Sequence, residues 1–170
     1  MLFEQEQAEY RQALNKAMEY LSLRDHSSGE LYQKVRAKLE NDQAAAAAVA
    51  RCVELGMLDD QAFARRRAEY LLARSKSPAQ IRSHLVEKGV DRCLAQQVVE
   101  ELVDQQDISE TVYQLLQKSY RRKLEQGKHQ NVMAAMARRG FSMGVVRQAL
   151  ERWQQEQEYC QEEFCWPEEW

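Results

Sequence analysis

The chain has 170 residues, 30% of them charged and 44% hydrophobic, with a formal net charge of −3. That length suits one domain or a few small stacked units, and no stretch approaches the ~18 uninterrupted apolar residues of a membrane-spanning helix. There are only 6 glycines and 2 prolines, where average usage gives roughly a dozen and eight, so hairpins have little to be built from and an all-α fold is expected.

The N-terminal stretch MLFEQEQAEY is acidic and lacks a basic segment followed by an apolar core, so no export signal is expected and the location expected is cytoplasmic. Leu14, Ala17, Met18 and Leu21 fall at i, i+3, i+4 and i+7 and predict the buried face of a first long helix. Tyr20, Leu21, Arg24, Ser27 and Leu31 then recur fifty positions on as Tyr70, Leu71, Arg74, Ser77 and Ile81. In both copies the serine stands three residues before Glu30 or Gln80, the spacing of a capping box: the hydroxyl accepts from a free helix N–H and the longer side chain reaches back. Pro78 fits the first helical position, where a missing N–H is harmless.

Asp59 and Asp60 predict the N-cap of the next long helix, whose stripe is Phe63, Ala64, Ala68 and Leu71. Ile81, Leu85, Gly89, Leu94, Val98, Val99 and Leu102 correspond, fifty-one positions on, to Val132, Met136, Gly140, Val145, Ala149, Leu150 and Trp153. Gly89 and Gly140 suit left-handed positions that end a helix, with Asp91 and Ser142 as N-caps of the next. Ile108, Val112, Leu115 and Leu116 give the third long helix. The chain thus reads as three units, 1–57, 58–106 and 107–153, each one longer helix and two shorter ones, followed by an acidic tail, 154–170. Its helix runs on for a few turns past Trp153 and frays before Pro167. Units of fifty residues bury only small cores, so neighbours must share surface; the expected architecture is an elongated array of three tandem three-helix repeats, a shape suited to binding.

Charge divides the same way. Residues 1–60 carry a net −4, residues 61–152 a net +7 and residues 153–170 a net −6. The middle block clusters its cations: Arg65, Arg66 and Arg67 on one long helix, Arg74, Lys76 and Arg82 around the Ser77 helix start, Arg121, Arg122 and Lys123 at the end of the third long helix, then Arg138 and Arg139. Three consecutive helical residues sweep about 200°, so not all of a triplet can meet one partner, and i,i+4 pairs such as Arg65 with Glu69 absorb part of the charge. The remaining excess predicts a basic surface for phosphates or an acidic protein. Helix N-termini near Ser77 and Lys128 add N–H donors for phosphate.

No catalytic constellation assembles. The glycines are isolated, GxSxG and HExxH are absent, and His26, His84 and His129 stand apart as surface or half-buried residues. Cys52, Cys93, Cys160 and Cys165 have irregular spacing; a zinc site would need Cys160, Cys165 and distant ligands, and incidental thiols explain them better. No enzyme, cofactor or metal is expected.

Residues 17–39 (AMEYLSLRDHSSGELYQKVRAKL) and 54–90 (ELGMLDDQAFARRRAEYLLARSKSPAQIRSHLVEKGV) resemble RecX, the bacterial regulator of the RecA recombinase. The pattern is carried by Arg24, Ser27, Glu30 and Leu31, then Leu58-Asp59-Asp60 with Phe63 and Ala64, then Arg74, Ile81, Leu85 and Lys88-Gly89. It departs at Lys76-Ser77-Pro78, where many members have a glycine before the proline, and it excludes the acidic tail. The resemblance implies three three-helix repeats and binding along a RecA–single-stranded DNA filament, restraining recombination and SOS-type activity without catalysis. The filament is the expected partner of a monomer, with direct contact to its single-stranded DNA left open; a DNA-binding architectural protein is the alternative. The clustered cations named above are the contact candidates, while Tyr20, Tyr70, Phe63, Leu31 and Ile81 read as packing residues.

Overall fold

The computed structural model describes the backbone of residues 2–162 and the side chains of residues 4–159. Among the described residues there are helices and no strands: α1 (Leu2–Leu23), α2 (Ser28–Leu39), α3 (Asp42–Glu54), α4 (Asp60–Ala73), α5 (Pro78–Glu87), α6 (Arg92–Gln105), α7 (Ile108–Leu115), a π turn (Leu116–Tyr120), α8 (Arg121–Glu125), α9 (His129–Arg138) and α10 (Met143–Glu162). The architecture is all-α, a tandem helical repeat. The longer-first pattern fails in the second repeat, where α4 and α6 both have 14 residues; in the third, α7, the π turn and α8 run on without a break from Ile108 to Glu125, and α10 owes much of its length to residues past Trp153. Helix α10 runs on past Trp153 as expected; Pro167, Cys165 and the side chain of Cys160 lie outside the described residues.

Two compact units form. One holds the residues up to Tyr70 together with Arg82–Glu100, the other Leu71–Ile81 with the residues from Glu101 on. In the first, Ala13 and Ala17 of α1 meet Leu31 and Val35 of α2 and the alanine-rich face of α3, Ala44, Ala45, Ala48 and Cys52. Alanines let helices approach closely at no side-chain entropy cost. Met18, expected in the α1 stripe, is 44% exposed; the fully buried positions of α1 include Ala17 and Ala13, one turn before it. In the second unit α7 packs on α10, and the buried set includes Ile108, Val112, Leu116, Val132, Met136, Val146 and Trp153.

Each unit contains one copy of the same joint. Ser27 accepts from the Glu30 N–H at 3.0 Å and caps α2, while its own O–H donates to the Lys88 carbonyl at the end of α5. Fifty residues on, Ser77 accepts from the Gln80 N–H at 3.2 Å, and its O–H donates to the Arg139 carbonyl, 2.5 Å away, at the end of α9. Both serines are fully buried, so the hydroxyl's donor and acceptor capacities join two helices in one atom. The Ser77 box is complete, the Gln80 side chain accepting from the Ser77 N–H at 3.2 Å. The Ser27 box is half of one, because Glu30 turns to Arg24 instead. In place of a back-reaching Glu30, Asp60 crosses over and accepts the Ser28 N–H at 2.7 Å as well as the Ser28 hydroxyl. Only Asp59 of the acidic pair caps α4, accepting from Ala62 N–H at 2.9 Å. The third repeat has Lys128 at the serine position and no side-chain cap.

The joint also fixes its glycines. Gly89 has φ +78°, and a Cβ there would lie 2.7 Å from the Glu30 nitrogen and the Gly29 carbonyl carbon. Gly140, at φ +87°, would place a Cβ 2.9 Å from that of Ala79. Left-handed conformation, the expectation from sequence, is thus one of two reasons; the other is that another helix start occupies the space.

The turn leading into the first joint buries His26, 3% exposed, against the expectation of a surface or half-buried ring. Its Nδ1 lies 2.9 Å from the Arg24 carbonyl, so that nitrogen carries the proton and Nε2 is an unpartnered lone pair in the interior. Burial, and then the neighbouring Arg24 charge, hold its pKa below the ordinary 6.5 despite the bond to the Arg24 carbonyl.

These joints set two measurable outcomes. Gly56 shares the left-handed conformation, φ +67°, with nothing near its Cβ position; Gly56→Ala should cost about 1 kcal/mol in urea unfolding, and Gly89→Ala about 3 kcal/mol, because backbone must also move. Because the folded pKa of His26 lies below its unfolded value, its contribution is present above about pH 6.5 and lost as pH falls. Unfolding midpoints measured between pH 7 and 5 should therefore fall in the wild type and vary less in His26→Asn.

Candidate functional site

The start of α2 and the end of α5 come together at the first joint, and α4 runs beside them. Their side chains line an open groove of about 460 Å³ made by Arg24, Asp25, Phe63, Arg66, Arg67, Tyr70 and Lys88. The residues come from three places in the sequence because the joint brings the turn after α1 to the end of α5, 61 positions apart.

One wall is ionic. Arg24 grips Glu30 with two parallel bonds, Nη2 to Oε1 at 2.7 Å and Nη1 to Oε2 at 3.1 Å, and Lys88 Nζ lies 3.4 Å from the same carboxylate. The Glu30 side chain is only 13% exposed. Burial alone would push its pKa up, but the Arg24 hydrogen bonds and the Arg24 and Lys88 charges hold it below the usual range. A forked guanidinium–carboxylate pair of this kind fixes geometry as well as charge.

The other wall is α4. Arg66 Nη2 meets Asp25 at 2.8 Å, with both side chains more than half exposed, a pair that solvent screens and a stronger anion would displace. Arg67 donates from Nε to His84 Nε2 at 3.0 Å, so that imidazole is neutral there. Burial and the Arg67 and Lys88 charges hold the His84 pKa down. The Arg67 guanidinium also lies over the Tyr70 ring, 5.4 Å from its centroid, a cation–π arrangement. Tyr70 is 45% exposed, which corrects its reading as a packing residue; Phe63, Leu31 and Ile81 are buried as read, and Tyr20 is half-buried between Lys16 and Lys34.

Of the cations singled out by sequence, this groove gathers Arg66 and Arg67. Arg65, exposed on the same helix, is not among its lining residues. Arg82 donates to Gln96 at 2.7 Å in a separate shallow groove with Val86, Arg92 and Ala95. In the second unit Arg139 reaches the Ser75 carbonyl at 3.4 Å, which sets it beside the turn carrying Arg74 and Lys76. Arg138 is exposed at the end of α9. Arg121 pairs with Glu125 at 2.8 Å, Lys123 lies over Tyr120, and Arg122 is exposed. The helix start at Ser77 offers no phosphate site, since the buried serine occupies it. Sequence reasoning does not find Arg24, Lys88 and Tyr70 as groove residues. The signal for the first two is their adjacency to Ser27 and Gly89, which only the joint turns into proximity. Among the described residues no group of three or more His, Cys, Asp or Glu is placed to hold a metal, and no helix is long and apolar enough to cross a membrane.

Known proteins resemble this chain in sequence and in fold. Family models described as the first and second three-helix domains of RecX match residues 13–52 and 59–99. A regulatory protein RecX of Thermus thermophilus is 31% identical over 147 residues, covering 86% of this chain and 94% of that protein. One from Stenotrophomonas maltophilia is 30% identical over 138 residues, covering 80% and 83%. The crystal structure of RecX from Lactobacillus salivarius superposes with a TM-score of 0.75 at 19% identity, over 85% of this chain and 96% of that one, a likeness of fold. Sequence match, fold and repeat plan agree, and the chain belongs to the RecX family of regulatory proteins.

Proposed function

We propose that this protein binds RecA–single-stranded DNA filaments and restrains RecA, lowering its recombination and SOS-type activities, as a cytoplasmic monomer without catalysis of its own. The observation that carries the reading is the groove beside the first joint, where Arg24, Arg66, Arg67 and Lys88 converge around two carboxylates and leave an excess of positive charge. A cationic groove complements a polymer of phosphates and acidic protein, and charge of this kind raises the association rate more than it sets final affinity. Repetition supports the same reading, since the other unit carries a cationic turn of its own, Arg74, Lys76 and Arg139. Arg65, Arg82, Arg121, Arg122, Lys123 and Arg138 complete the proposed contact surface.

In a titration of the cognate recombinase on single-stranded DNA, sub-stoichiometric protein should lower ATP hydrolysis. No effect at ten-fold excess, with filaments unchanged by electron microscopy, would reject the reading. Arg66→Glu with Arg67→Glu should raise the concentration for half-inhibition at least ten-fold, with helicity by circular dichroism unchanged. Inhibition equal to wild type by that variant would move the contact away from α4.

A further inference from the structure

The groove contains more than charge. Tyr70 presents a half-exposed aromatic ring among the cations, with Arg67 over it and Phe63 below 10% exposure lining the same groove. The cations alone would suit an acidic protein segment as well as a phosphate backbone, and the ring among them favours a ligand that offers flat faces between its charges. A nucleotide strand alternates an anion with a flat π-surface, and only an unpaired strand has base faces open to a side chain. Four cations against Asp25 and Glu30 leave two positive charges uncompensated, and the exposed Asp25–Arg66 pair yields readily to a phosphate.

We infer that this groove is a direct single-stranded nucleic-acid site, in which a base stacks on Tyr70 while Arg24, Arg66, Arg67 and Lys88 hold the flanking phosphates. This rests on reading the groove as the filament-facing surface, and it assigns the strand, not the recombinase protein, as what occupies it. The site reads no sequence, because any base offers a stacking face and the cations touch only the backbone.

The test uses the full-length chain and a fluorescein-labelled oligothymidylate of about 20 nucleotides, long enough to span a single binding groove, with binding read by anisotropy across a salt series. Tyr70→Ala should weaken binding about ten-fold, the loss of one stacked base. Tyr70→Phe should stay within about two-fold, and neither should change the slope of log affinity against log salt, since neither alters charge. Lys88→Gln should make that slope shallower by about 0.7, one phosphate contact on a single strand. Oligothymidylate binding unchanged in Tyr70→Ala, or weakened equally in Tyr70→Phe, would overturn the stacking site. So would displacement of the oligothymidylate by polyglutamate at equal charge concentration, which would make the groove a site for acidic protein. The ATPase assay separates this from the broader reading. Tyr70-dependent strand binding without any effect on ATP hydrolysis sinks the regulator and keeps the site; inhibition intact in Tyr70→Ala, together with unaltered strand binding, does the reverse.

Discussion

A buried serine hydroxyl used twice is the interaction on which the rest of this structure depends. At Ser27 and again at Ser77, one oxygen accepts the free N–H of the helix it starts and donates to the last carbonyl of a helix some sixty residues away. Both groups it satisfies are helix-end orphans that would otherwise need water, and both sites are closed to water. Repeats of fifty residues have little core of their own, so their arrangement is set by such junctions. Because the hydroxyl must reach the carbonyl, the helix ends are drawn so close that Gly89 and Gly140 have no room for a side chain.

The cationic groove is a by-product of the first junction. Arg24 precedes the serine and Lys88 contributes the accepting carbonyl, so joining the helices necessarily sets two cations side by side. Glu30 resolves the repulsion between them. Its counterpart at the second junction, Gln80, closes its capping box instead and carries no charge. The two copies of one device therefore differ: the first carries a carboxylate gripped by Arg24 and Lys88, the second an uncharged Gln80 that closes its own cap.

Local features of the fold are legible in the sequence, and distant ones are not. The serines three residues ahead of Glu30 and Gln80, the glycines at 89 and 140, and the stripes of Phe63, Ala64 and Ala68 or Ile108, Val112 and Leu115 are all short-range patterns, and they give the helices and their ends. What Gly89 faces is decided by Gly29, sixty positions earlier, and no spacing rule reports that. The expectation for Tyr70 fails for a related reason: its correspondence with Tyr20 suggests a shared packing role, whereas nearly half of its surface is open. The basic clusters are visible as clusters, but a run such as Arg65, Arg66 and Arg67 winds around its helix, so adjacency in sequence overstates what shares a face. Arg24 and Lys88, isolated in sequence, are brought beside Arg66 and Arg67 by the fold.

The π turn at Leu116–Tyr120 bears on how the third repeat has drifted from the other two. A π turn holds one residue more than the α-helical turn it replaces, and each added residue rotates the succeeding side chains by about 100° around the helix axis. Leu124 still reaches the interior beyond it, so the apolar register has been recovered. By the fifty-one-residue offset Arg65, Arg66 and Arg67 correspond to Leu116, Gln117 and Lys118, inside the π turn itself, so Arg121, Arg122 and Lys123 are not their counterparts and the two basic clusters belong to different turns of their helices.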